Sequence, residues 1–124
     1  MAYIPRITGI AGLVERAAAS PAQVSPEILQ TVANTGVFRN ASDLGFQEGY
    51  YPLPGEMARL LRRSGFEVKD EVSLKSIAHG LEKEVAQLDG SMKTEIDRLM
   101  AGMSRQPEII ATSGHVLVIS CKKA

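Results

Sequence analysis

The chain's one cysteine, Cys121, stands six residues beyond His115 in the closing stretch TSGHVLVISCKKA, and a thiolate nucleophile with an imidazole base is the chemistry such a pair offers. Their spacing argues against it. From His115 the residues have strand composition, and a strand advancing about 3.3 Å per residue separates the two Cα atoms by roughly 20 Å, whereas nucleophile and base work at about 3 Å. The second histidine, His79, falls well away from the apolar face that Leu74, Ile77, Ala78 and Leu81 would share on a helix, so its ring is expected in solvent. Cys121 then reads as an ordinary small residue, and no catalytic residue is expected. One cysteine and two histidines make no spaced zinc framework, and the sequence has neither a Walker phosphate loop nor a dinucleotide fingerprint. No metal and no cofactor are expected.

A basic cluster offers different chemistry. In the helix predicted after Pro54, Met57, Leu60 and Leu61 share one face, which leaves Arg59, Arg62 and Arg63 on the other, where guanidinium groups grip phosphates or carboxylates. Tyr50 and Tyr51 lie just upstream and suit stacking on bases or a protein interface. These five residues form the candidate phosphate or nucleic-acid patch. Carboxylates occur singly on polar faces, at Glu82, Glu84, Glu95 and Asp97, with Glu95 spaced to pair with Arg98. Asp43 and Glu48 share one loop, but nothing in their setting supports an acid/base pair. Gly9 and Gly12 in ITGIAGLVERA form a G-x-x-G that resembles the backbone-clamping loop of KH domains. The positions between them are Ile10 and Ala11, where a basic residue would help to hold phosphate, so the residues themselves favour close packing around small side chains.

The Gly-His that opens the strand in GHVLVIS resembles the general-base segment of papain-like cysteine peptidases, and PLPGEMARLLRRSGFEV resembles the helix and strand that precede it there. The resemblance implies that His115 is the base. It also implies a cysteine near the start of the first core helix, and none occurs before residue 121; Thr8, just before GIAG, stands where it would sit. What is implied is therefore an inactive relative.

The elements that position these residues follow from composition and period. At 124 residues, 44% apolar and 23% charged, the chain suits one globular domain, 1–124. Fourteen basic and fourteen acidic residues cancel, so no whole-molecule field draws it to nucleic acid or lipid. No apolar run approaches the roughly 18 residues of a membrane span, MAYIPRITGIAGLVERAAAS lacks the pattern of a signal peptide, and the cysteine usage predicts a reducing, cytoplasmic setting. AYIPRI reads as an edge strand or arm, GIAGLVERAAAS as a helix, and SPEILQTVANTG as a helix with Ser25 as N-cap, Pro26 in the first turn and Gly36 as stop. Residues 37–54 read as a long loop. A helix from Pro54 to Ser64 and a strand beginning at Phe66 follow.

Leu74, Ile77, Leu81, Val85, Leu88, Met92, Ile96, Leu99 and Met103 recur at steps of 3 or 4, which predicts one long helix, or two nearly continuous ones around Asp89-Gly90-Ser91. At about 30 residues it would run roughly 45 Å, past a domain about 30 Å across. The strand-rich end predicts a hairpin of Ile109–Ala111 with His115–Ser120. The expected fold is α+β: about four helices, with the long or broken C-terminal one packed on a small sheet of the terminal strands and the segment after Gly65. The expected function is non-enzymatic: an accessory or assembly protein, virus-encoded or bacterial, that pairs with itself as a homodimer within a larger protein or ribonucleoprotein complex. Leu88, Met92, Ile96, Leu99, Met100 and Met103 would form its interface. The alternative is an RNA- or nucleic-acid-binding accessory protein that uses the Tyr/Arg patch. No membrane contact is expected.

Overall fold

Ser25, Pro26 and Gly36 bracket a helix as their chemistry predicts. The computed structural model describes residues 1–39 and 48–124, in which α1 spans Arg6–Ala19 and α2 spans Pro26–Thr35. Ser25 accepts a hydrogen bond from the Ile28 amide at 3.3 Å, Pro26 fills the first turn, and Gly36 ends α2 at φ 77°. α1 packs against α2, and Leu13, Val24, Val32 and Phe38 form one buried cluster. Gly9 explains half of the G-x-x-G pair: a Cβ there would lie 2.6 Å from the Tyr51 ring.

The remaining elements, in chain order, begin with β1 at Ala2–Tyr3, ahead of α1. After α2 come β2 at Val37–Arg39, β3 at Glu48–Tyr50, α3 at Glu56–Arg63 and β4 at Phe66–Ser73. They are followed by α4 at Glu82–Ala86, α5 at Gly90–Met103, α6 at Pro107–Thr112 and β5 at Val116–Lys122. The fold is α+β, with six α-helices among the described residues. Its main sheet is antiparallel in the order β1–β5–β4, which joins the two terminal strands to the segment after Gly65. β5 carries Val116 and Val118, 0% and 1% exposed, into a second core with Tyr3, Leu61 and Ile110. Burying each such valine contributes about 1.5–3 kcal/mol, so the central strand is fixed in register by its inward face. No helix among the described residues is long and apolar enough to cross a membrane.

Three segments depart from the sequence reading. Within the expected loop 37–54, β2 and β3 pair antiparallel with Val37 opposite Tyr50, because Val37, Phe38 and Tyr50 suit a pleated pair better than an open loop. Asp43 lies outside the described residues, and Glu48 faces Arg39 at 3.9 Å in solvent. Ile109–Ala111, expected as the first arm of a hairpin, is helical in α6: Pro107 starts the helix, and the Ile110 amide donates to the Gln106 carbonyl at 2.9 Å. β5 instead pairs antiparallel with β4 along its length and with β1 at Val116 and Leu117.

The third departure is the long seam. Leu74 follows β4, Ile77 sits in a 3₁₀ turn at Ser76–Ala78, and Val85 is in the short α4, so only Met92 to Met103 share one helix. The seam breaks at its glycines: Gly80 takes φ 84°, and Asp89 is extended before Gly90 at φ 55°, values that glycine adopts without strain. α5 has 14 residues and runs about 21 Å, not 45 Å.

Candidate functional site

Two serines far apart in sequence meet at the end of the main sheet. Ser73 closes β4 and Ser113 follows α6; both are buried, and their hydroxyl oxygens are 2.6 Å apart. The neighbouring bonds fix which one donates. The Ser113 hydroxyl gives its proton to the His115 carbonyl at 2.7 Å, while Ser73 Oγ accepts the Ser76 amide proton at 2.8 Å. Each hydroxyl has one proton to give, so Ser73 donates to Ser113 and the chain runs one way, from the Ser76 amide through both serines to the His115 carbonyl. Thr8 extends it, its hydroxyl donating to the Ser113 carbonyl at 2.7 Å. This chain joins the start of α1, the end of β4 and the start of β5.

The turn held at the head of this chain is strained. Ser76 takes φ 48°, a left-handed value unusual for a serine, and its own hydroxyl is buried without a partner among the described residues. Strain of this kind costs about 1–3 kcal/mol and persists only where the surroundings impose it. Here it sets Lys75 and His79 on either side of Ser76. One oxygen of Glu82 then tethers Lys75, at 2.7 Å from its Nζ, and lies 3.8 Å from His79 Nδ1. The hydrogen bond from Lys75 is the main reason that the Glu82 carboxyl is pulled down to about 2. His79 lies flat enough on Gly114 that a Cβ there would come within 2.6 Å of its Nδ1.

These groups open onto a cleft of about 630 Å³. α1 forms one wall with Thr8, Gly9, Gly12, Leu13 and Arg16, a single helical face. Lys75, His79, Gly114 and His115 form the end nearest Thr8, and Phe38, Tyr50 and Tyr51 supply aromatic surface. Among the described residues no carboxylate lines the cleft, whereas Arg16 and Lys75 do.

The structure brings some of the sequence candidates together and separates others. Cys121 is exposed near the far end of β5, opposite Glu67, while His115 precedes the other end of that strand, so the two do not meet. Thr8 and His115 both line the cleft. Tyr51 packs over Gly9 and beside Phe38, with ring centroids 6.5 Å apart, and so belongs mainly to the core. Tyr50 donates its hydroxyl to Glu56 at 2.6 Å, which lowers the Glu56 carboxyl and raises the Tyr50 phenol. Glu56 also accepts the Leu53 amide and faces Arg6, whose buried guanidinium holds the Tyr51 carbonyl at 3.1 Å. Arg59, Arg62 and Arg63 remain exposed on α3. Met92, Ile96, Leu99, Met100 and Met103 lie on α5 and Leu88 just before it; none of them is buried.

Arg16, Lys75 and the serine chain were missed by sequence reasoning. Ser76 between Lys75 and His79 carries no motif, and the pairing of Ser73 with Ser113 depends on strand register. Among the described residues no three His, Cys, Asp or Glu side chains cluster as metal ligands.

No protein-family model matches the chain, and no curated protein matches it, so the chemistry of the site is argued from its own groups. Those groups make one pH-dependent contact. Because folding depresses the Glu82 carboxyl from 4.5 to about 2, its tether to Lys75 contributes stability above pH 4.5 that is lost as pH falls toward 2. Thermal melts of wild type and Glu82→Gln are expected to differ above pH 4.5 and to converge near pH 2; a gap that persists at pH 2 would contradict the tether.

Proposed function

We propose that the protein is a non-catalytic interaction module that pairs with a second copy of itself through α5 and serves as an accessory unit of a larger protein or ribonucleoprotein assembly. The observation that supports this reading is that α5 buries none of its residues, although Met92, Ile96, Leu99 and Met103 recur along one stripe. Met92 and Leu99 are 59% and 43% exposed. Leu74 and Leu81, on either side of the 3₁₀ turn that α5 contacts, are exposed as well. The spacing of 4, 3 and 4 is the narrow seam that two helices share, and the charges beside it suit a like partner: Lys93 with Asp97 and Arg98 with Glu95 sum to zero. The flanks of the seam therefore carry no net charge to oppose a second copy. In such an assembly Arg59, Arg62 and Arg63 offer the second contact, to carboxylates or to the phosphates of an RNA.

Sedimentation equilibrium at micromolar concentration is expected to give twice the 13.4 kDa chain mass, and Leu99→Glu to return the monomer with its circular dichroism unchanged. A wild-type monomer across that range rules the pairing out.

A second reading, an inactive relative of papain-like cysteine peptidases, is supported by one contact. The Thr8 hydroxyl bonds to Ser113, two residues before His115, so a side chain at the start of α1 faces the strand with the histidine. If that geometry is inherited, Thr8→Cys combined with Cys121→Ser should place a thiol beside an imidazole. Its alkylation by iodoacetamide at pH 6 is expected to run at least about tenfold faster than that of Cys121 in the wild type. Equal rates would remove this reading.

A further inference from the structure

We infer that the cleft between α1 and the Lys75–His79 turn is a binding site for a small organic anion, with a carboxylate or phosphate head at the Lys75, His79 and His115 end and an apolar or aromatic body along α1. This goes beyond the pairing through α5 and does not depend on it.

Three observations carry the inference. The first is charge: Arg16 and Lys75 line the cleft with two histidines, and no carboxylate lines it among the described residues, in a chain whose net charge is zero. Arg16 makes no ion pair among the described residues, and Lys75 is paired with Glu82, a half-exposed carboxylate outside the cleft lining that an incoming anion would have to displace or share. Such a field favours an anion.

The second is Gly12. It sits in the interior of α1, where glycine is less favourable than alanine, yet a Cβ there would meet no atom within 4 Å. Unlike Gly9, it is not required by packing. Gly12 lines the cleft, so what its missing side chain preserves is open space beside Leu13, Phe38 and Tyr51. That is room for the body of a ligand.

The third is strain. Ser76 is held at φ 48° with its hydroxyl unsatisfied, and the effect of that conformation is to present Lys75 and His79 at the cleft mouth, each with its side chain about half open to solvent. A strained turn that places a lysine and a histidine along one cavity is the arrangement expected of a ligand clamp. At about 630 Å³ the space accepts a molecule larger than an inorganic ion.

The test is titration calorimetry on the full chain with phenyl phosphate, phenylacetate and neutral 2-phenylethanol. At least one anion is expected to bind at least about tenfold tighter than the alcohol, the tighter of the two identifying the head as phosphate or carboxylate, and Lys75→Gln is expected to remove most of that advantage. Gly12→Leu separates binding from folding: it should raise the melting temperature by improving helix propensity while abolishing binding by filling the cleft. Anion and alcohol binding equally, no binding of either anion at millimolar concentration, or Gly12→Leu binding as tightly as wild type would each overturn the proposal.

Discussion

The one-way hydrogen-bond chain from the Ser76 amide through Ser73 and Ser113 to the His115 carbonyl is the constraint on which the cleft depends. It is made of neutral groups whose individual bonds contribute only about 1 kcal/mol each, but whose loss would leave buried polar atoms without partners. Because each serine hydroxyl both donates and accepts, no member can rotate away without orphaning its neighbour. The chain thereby fixes where β4 ends relative to where β5 begins, and Thr8 ties α1 to the same point. Strain at Ser76 and the close fit of His79 on Gly114 follow from the rigidity of that junction.

Away from the junction the molecule is held together unevenly. The two apolar clusters are organised by α1, α2 and β2 on one side and by the main sheet with α3 and α6 on the other, and Arg6 with Glu56 bridges α1 to α3. α5 stands apart from both. Its contacts are chiefly with the 3₁₀ turn, and a helix of 14 residues is marginal by itself in water. A partner on its apolar stripe would supply the burial that its own chain does not, and would also bear on the turn that carries Lys75 and His79.

Local chemistry made part of this legible in the sequence. Ser25, Pro26 and Gly36 specify α2 by capping alone, and the alternation in VLVIS together with the β-rich N-terminus announces the terminal strands of the main sheet. The seam was misread because apolar spacing of 3 and 4 persists across Gly80 and Gly90, where the backbone turns; periodicity reports which residues are apolar and not whether the helix between them continues. Ile109–Ala111 looked β-rich, but Pro107 and the Gln106 carbonyl decide for helix. Within the site, the Thr8 contact, the serine chain and the pairing of Lys75 with His79 were not legible, since they arise from strand register and a left-handed serine that no local pattern marks.

Amide hydrogen exchange at Ser76 tests the central constraint most directly. Its N–H donates to a buried hydroxyl within the junction, so it is expected to exchange only through large-scale opening, with protection close to that of the β5 amide of Val118. If Ser76 exchanges as fast as the exposed Ser91 amide at the start of α5, the hydroxyl chain does not hold the turn, and the cleft it frames loses its fixed floor.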